Sequence, residues 1–390
     1  MEQLESEETQ AAAVAIASLP LMGPIRMSAL VRRFGFQQAW QKLQSASWTR
    51  YAGVARTVGP QAANLAESWA RAARDIVPEV LYQHHQRAGV DIIPLGSPRF
   101  PSSIALDIEP PMVVFARGNI HLTQATSVGI VGTRAATTFG NQIAYELADL
   151  LATAGINIVS GLALGIDGAA HRGVLAGSAG RVSPGAPIGV VASGLDVVYP
   201  KAHNKLWQQV AERGVLLSEW PLGTVAQKWH FPARNRLIAA LSKILVVVES
   251  HERGGSLLTA EEALKRDRLV MAVPGSIRSP ASSGSNRLIA DGMTPICQLD
   301  DVLVALGLSG AVEVPPSDPS NTGPTHDSSS AAGLDQGDAA LLDHLGWQPV
   351  MLDELAERAG LSLAELSLRL TLLETKGLIT RSASAIERVR

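Results

Sequence analysis

Between Thr9 and Val80 apolar side chains return every three or four positions, through alanine-rich stretches with little β-branched alternation. That spacing predicts a small helical domain over residues 1–80. From Leu81 to Leu308 the pattern changes to short β-branched runs that alternate with helical segments. Ser127–Val131, Ile156–Ser160, Ile188–Ala192, Val215–Ser218, Ile244–Glu249 and Leu269–Val273 read as strands. Apolar strands separated by amphipathic helices predict an α/β domain over 81–308, a parallel sheet with helices on both faces. Glu313 to Gly337 is Pro, Ser, Thr, Gly and Asp with little to bury, and marks a flexible linker over 309–337. Helical periodicity resumes over 338–390. There the stretch from Met351 predicts the first helix and turn of a helix–turn–helix, Leu363 to Lys376 the second helix, and Gly377 onward a wing.

Composition narrows the class. A chain of 390 residues is too long for one ordinary core. The net charge of −3 rules out a polycation, so a nucleic-acid surface has to be a local patch offset by acid such as Glu2, Glu5, Glu7 and Glu8. Cys297 is the single cysteine, which leaves no internal disulfide and suits a reducing compartment. The acidic N-terminus lacks a basic signal-peptide region, and the most apolar runs, such as Ile244 to Val248, are strand-length. The expectation is a cytoplasmic protein without membrane segments, metal or cofactor.

Nearly every central strand ends in a glycine-rich or turn-prone loop, and open parallel sheets bind ligands at the carboxyl ends of their strands. After the first, Gly132-Thr133-Arg134 offers a tight turn, a helix N-terminus and a guanidinium fork for a phosphate. The plainer reading is a turn with a surface arginine. After the second, Ser160-Gly161 leads to Asp167 and His171, which share a helical face. That pair suits general acid–base work, yet no nucleophile stands beside it, and a helix-positioning hydrogen bond explains it more simply. Gly194 follows the third strand. Gly254-Gly255 follow Ile244–Glu249, with Ser256 as the expected helix cap. Near the amino terminus, Leu19-Pro-Leu-Met-Gly-Pro resembles a helix–hairpin–helix turn in which Gly23 opens backbone amides to a phosphate.

The most specific stretch runs from Tyr199 to Arg236. Lys201, Lys205, Arg213, Lys228, Arg234 and Arg236 face only Glu212 and Glu219 there, alongside Tyr199, Trp220, Trp229 and Phe231. Aromatics make up just 4% of the chain, so their concentration here counts. Cations interleaved with flat rings suit single-stranded nucleic acid: the cations track phosphates and the rings stack on unpaired bases. The competing reading makes Trp207 and Trp229 core and the cations a solvated face.

Taken together the loops resemble the DprA/Smf (DNA-processing protein A) family. The matching pieces stand in the family's order: Val131-Gly-Thr-Arg, Ser160-Gly-Leu-Ala-Leu-Gly-Ile-Asp with Ala170-His, Gly194-Leu-Asp with Tyr199-Pro, Ser218-Glu, Phe231-Pro-Ala-Arg-Asn-Arg, Gly255-Ser-Leu-Leu-Thr-Ala, Ala272-Val-Pro-Gly, and Asn286-Arg-Leu-Ile with Asp291-Gly. The resemblance is dense from Pro94 to Leu306. It implies an extended Rossmann-like domain, flanked by a helical SAM or helix–hairpin–helix-like N-terminal domain and a C-terminal winged helix. It further implies a binding protein, not an enzyme, that takes up single-stranded DNA, protects it during natural transformation and helps load RecA onto it. Its partners would be single-stranded DNA, RecA recombinase and a second copy joined through the central domain. Position by position, the DNA pocket would include Arg134, Lys228, Phe231, Arg234, Asn235 and Arg236. Gly132, Thr133, Ser160, Gly161, Gly194, Gly255 and Ser256 would shape its floor. Lys201 and Lys205 extend the patch from charge alone.

This chain departs from the family pattern in having Gly254-Gly-Ser for Ser-Gly-Ser, and in a wing without the expected Gly and Tyr. The second helix of the C-terminal domain carries only Arg369 and Lys376 beside Glu365 and Glu374, which favours a protein-contact or regulatory role over groove reading. Two alternatives stay open. One is a nucleotide-processing enzyme similar to phosphoribohydrolases, with Glu261 or Glu262 catalytic. The other is a winged-helix transcription regulator. A dinucleotide enzyme lacks its glycine spacing here.

Overall fold

The computed structural model describes residues 5–181, 184–308, 336–345, 350–381 and 386–388. Apart from residues 336 and 337, the linker expected at 309–337 falls outside them, as do Glu2 and the tip of the wing. The described residues form two compact units, one holding the N-terminal helices with the sheet, the other the C-terminal helices.

The sheet of the first unit has nine strands: β1 (Asp91–Pro94), β2 (Val113–Gly118), β3 (Ser127–Val131), β4 (Asn157–Ser160), β5 (Pro187–Val190), β6 (Val215–Ser218), β7 (Ile244–Val247), β8 (Leu269–Ala272) and β9 (Thr294–Pro295). Their order is β1-β2-β6-β5-β4-β3-β7-β8-β9. From β6 to β9 every pairing is parallel. β3, β4, β5 and β7 are buried along their whole length, which is why they read as unbroken apolar runs. The six expected strands match β3 to β8 to within two residues. The sheet departs from the expectation at one edge, where β1 and β2 pair antiparallel with each other and β2 antiparallel with β6.

Strand order also fixes where a ligand can sit. The chain runs from β3 through β4 and β5 to β6 on one side, then crosses to β7 on the other side of β3. Loops after β3 and β7 therefore diverge and open a crevice at their carboxyl ends.

Six α-helices precede the sheet: Glu7–Ala17, Pro24–Phe34, Phe36–Gln44, Ala52–Val58, Ala62–Asp75 and Pro78–Arg87. The first is buried almost all round, with Ala13, Val14, Ala15 and Ile16 fully covered, as an alanine-rich helix without a polar face has to be. Trp69 packs on Trp48 and donates its indole N–H to the Pro20 carbonyl at 2.8 Å, which closes the helical cluster over the Leu19–Pro24 turn. Polar contacts also tie these helices to the sheet. The Ser97 hydroxyl donates to Glu5, and His85 accepts the Leu222 N–H on Nε2 at 3.1 Å while its Nδ1 lies 2.8 Å from the Leu81 carbonyl.

In the second unit Gln336–Leu345, Leu352–Ala359 and Leu363–Thr375 are followed by an antiparallel pair, Ile379–Arg381 with Ile386–Arg388. Its core is Leu-rich and includes Leu341, Leu355, Leu366, Leu370, Leu373 and Ile379. A capping box, Ser362 with Glu365, starts the third helix where the sequence placed it. Arg358, Arg369, Lys376 and Arg381 each face a carboxylate, respectively Glu354, Asp338, Asp338 and Glu374.

Two buried ion pairs stabilise the underside of the helix His230–Leu241 and its neighbours. Arg266 meets Asp107 at 2.7 Å with side chains 3% and 2% exposed. Arg236 meets Glu219 at 2.5 Å and donates to the Glu109 carbonyl at 2.8 Å. Burial pushes the Glu219 carboxyl above the usual carboxylate range, and Arg236 opposes the shift. Replacing Arg236 by Met removes that opposition and should destabilise the fold by about 3–5 kcal/mol near neutral pH. A carboxyl raised in the folded state favours folding below its ordinary value of 4.5, and that support is lost as pH rises through the folded value. The deficit of Arg236→Met should therefore be smaller at about pH 5 than at about pH 8 in urea unfolding; equal deficits would refute this account of the pair.

Candidate functional site

A cavity of about 320 Å³ opens at the carboxyl ends of β3 and β7, where the strand order reverses. Its wall on the β3 side is Val131 to Arg134, and on the β7 side Gly254 to Ser256 with Thr259. Phe231, Arg234 and Asn235 close it from the helix His230–Leu241. A narrower cleft continues past Gly161 toward Tyr199 and Pro200, and shares Arg134, Phe231 and Arg234 with the first.

At the mouth, the exposed Arg134 guanidinium lies over the Phe231 ring, 5.0 Å from its centroid. Tyr199 is 47% exposed and stands beside the same ring at 5.8 Å, tilted by 57°. A cation and two rings thus share one ledge, the combination that holds a phosphate and a base together. Tyr199 was noted in the sequence as one aromatic of the basic stretch and in the Tyr199-Pro piece of the family pattern, but not as a site residue; its place beside Phe231 follows from the loop after β5 meeting the start of the helix after β6.

The floor behaves differently from expectation. The turn at Gly132 was expected to offer backbone amides to an outside anion, and Gly161 to shape the pocket floor. Instead they converge on the protein's own carboxylate. Asp167 accepts the Gly161 N–H at 3.1 Å, and the N–H groups of Ala163 and Gly132 also turn toward it. Gly132 has no room for a side chain, since a Cβ there would stand 2.5 Å from Ile166. At Gly161 a Cβ would fall 1.5 Å from a guanidinium nitrogen of Arg234. Arg234 is buried across that glycine, donates to the Val190 carbonyl at 2.9 Å, and leaves its Nε without a hydrogen-bond partner. Burial pushes the Asp167 carboxyl up and the Arg234 guanidinium down, and each charge opposes the other's shift.

The Asp167–His171 pairing is also corrected. Asp167 turns to the glycine turns and Arg234, not to His171. The fully buried His171 ring leans toward Ser160 without a hydrogen bond of ordinary geometry, and burial holds it down to about 3. A neutral ring sealed in the core has no access to a reacting group.

The other expected residues separate by position. Thr133 donates its N–H to the Glu249 carbonyl and accepts Ile166, pinning the turn to the next helix. Asn235 reaches the Gly255 carbonyl at 3.4 Å. Gly255 begins the helix Gly255–Leu264 with open space around it, and Gly254 is the cap residue. Ser256 is therefore not the cap. It lies inside the first turn and donates to the Ser250 hydroxyl; the helix start has no side-chain cap, the N–H groups of Gly255 and Ser256 make no hydrogen bond among the described residues, and both residues line the cavity. Ser160 is buried and donates to Ile130, while Gly194 makes room for the Pro221 carbonyl. Arg236 is held by Glu219. Lys228 is exposed on the loop just before Phe231; Lys201 and Lys205 are exposed beyond Pro200, and none of the three lines the cavity. Trp220 is core, stacked on His230 at 3.8 Å, and Trp207 is buried, whereas Trp229 is 42% exposed.

The sheet region from residue 91 to 307 matches the family model described as DNA recombination-mediator protein A, and residues 325–384 match the DprA winged helix domain. The DNA processing protein DprA of Bacillus subtilis is 39% identical over 59% of this chain and 75% of its own length. Protein Smf of Escherichia coli is 34% identical over 77% of both chains. Among solved structures, DprA from Streptococcus pneumoniae superposes with a TM-score of 0.63 at 28% identity, over 76% of this chain and 97% of that one. DNA processing protein A from Helicobacter pylori, solved for its single-stranded DNA binding mode, gives 0.51 at 28% identity over 56% and 96%. With the family match spanning more than half of the sequence and the switch-point cavity set in the same sheet, the chain belongs to the DNA recombination-mediator protein A (DprA/Smf) family.

Proposed function

We propose that this chain binds single-stranded DNA along the ledge of Arg134, Phe231 and Tyr199, protects it during transformation, and helps load RecA onto it as a cytoplasmic homodimer joined through the central domain. The observation that carries the reading is the Arg134 guanidinium stacked on Phe231 at the mouth of the switch-point cavity. Lys228, exposed on the loop just before Phe231, and Lys201 and Lys205, exposed beyond Pro200, add positive charge in the segments that carry the ledge. The uncapped N-terminus of the helix Gly255–Leu264 offers amides to a second phosphate on the opposite wall. Arg234, Arg236 and Ser160 have hydrogen-bond partners within the fold, and together with Gly194 they shape the ledge. The binding mode named for the Helicobacter pylori relative is of the same ligand class.

The enzyme alternative finds less support. Glu262 is drawn to Lys265 and Arg266, which hold its carboxyl below the usual range, and it does not line the cavity. The regulator alternative meets a second helix whose cations already face acids.

In fluorescence anisotropy with labelled oligonucleotides across a salt series, the protein should prefer single strands to duplex. Arg134→Ala and Lys228→Ala should each flatten the slope of log affinity against log salt by about 0.7. Phe231→Ala should cost about 1–3 kcal/mol, roughly 5- to 150-fold in affinity, with less change in slope. Full affinity in the Arg134/Lys228 double variant would place the strand elsewhere. Removing residues 338–390 should leave most single-strand affinity in place; loss of all DNA binding would move the function to the winged helix.

A further inference from the structure

The glycine turns beneath the ledge already hold an anion. Amides of Gly161, Ala163 and Gly132 converge on Asp167, and Arg234 lies against Gly161 with its Nε unpartnered. Backbone amides of successive turns beside a buried guanidinium make a seat of the kind that elsewhere receives a phosphate. Here Asp167, in the first turn of the helix Ile166–Gly177, fills the seat from below. The helix is held there because Gly165, its cap residue, has φ +73° and a Cβ on it would meet the Thr133 carbonyl at 2.4 Å. Asp167 also lines the 320 Å³ cavity, so the seat can be reached from outside.

We propose that Asp167 is a specificity-determining residue: an internal anion that occupies the phosphate seat of the Gly132 and Gly161 turns and so excludes phosphate monoesters from this site. Phosphate monoesters, free or at the end of a nucleotide, are dianions near neutral pH and would have to displace a carboxylate from amides and from Arg234. Repulsion between like charges is strongest where water is excluded, as on this floor. Diesters of a strand avoid the conflict, because Arg134 and Lys228 meet them at the exposed rim. The bearing on strands rests on the function proposed above; the filled seat does not, and it can be tested without DNA.

The test is thermal unfolding of the full chain in inorganic phosphate and in chloride at matched ionic strength. Asp167→Ala leaves Arg234 buried without its partner and should lower the melting temperature by roughly 5–15 °C. Phosphate at about tenfold its dissociation constant should then raise it by roughly 3–5 °C in this variant and leave the parent protein unmoved. Asp167→Ala with Arg234→Leu, which removes both buried charges, should unfold at a higher temperature than the single variant and ignore phosphate. Equal responses in parent and Asp167→Ala, or none in Asp167→Ala, would overturn the proposal. If Asp167→Ala does not stay folded in chloride, refolding from urea decides: recovery in phosphate alone supports the seat, and no recovery in phosphate overturns it. Neither result depends on how the chain binds single strands.

Discussion

The site depends on one buried electrostatic balance, the opposite charges of Asp167 and Arg234 set on either side of Gly161. It joins three parts of the sheet's carboxyl edge that the chain reaches at different times: the turn after β3, the turn after β4 and the helix after β6. Each charge alone would be costly at that depth, and neither can be removed without leaving the other uncompensated. Together they set the height of the floor. Because the turns close on Asp167, the groups left at the rim are Arg134, Phe231 and Tyr199, and the chemistry of the ledge follows from what the floor has already used.

Strands β3 to β8 were legible because sequence periodicity reports burial on both faces, and these strands have it. β1 and β9, at the two edges of the sheet, were not, for physical reasons. Asp91–Pro94 is four residues long and ends in a proline, and β9 has only two residues. Such edges are defined by their hydrogen-bonded neighbour, not by their own pattern. The helix from Leu363 was legible in its bounds; its capping box, Ser362 with Glu365, is what the structure adds.

The site was half legible. Its loops could be named from glycine and arginine, but the direction of an amide or a side chain could not. Arg234 and Arg236 look equivalent in the sequence, yet two positions on a helix are about 200° apart. One guanidinium therefore crosses Gly161 while the other turns to Glu219, and Asn235 between them faces Gly255. The same blindness made Gly132 look like a donor to a ligand. What the sequence could not carry was that Asp167, six residues beyond Gly161, returns to the very turn that precedes it. Charge counting, with a net charge of −3, left only a local patch possible; of its cations Arg134 lines the cavity, while Lys201, Lys205 and Lys228 are exposed outside its lining.

The stacking of Arg134 on Phe231 has a kinetic meaning. A bare aromatic ledge would gather any flat or greasy molecule, whereas this ring is covered by a hydrated cation until something displaces it. On the function proposed above, a nucleobase that took the ring would free the guanidinium for the neighbouring phosphate, so that base and backbone would be engaged by one side-chain rotation. A ligand that brought only one of the two would leave that exchange unfinished and would depart quickly. The ledge would then discriminate by residence time, before any difference in equilibrium affinity between one base and another comes into play.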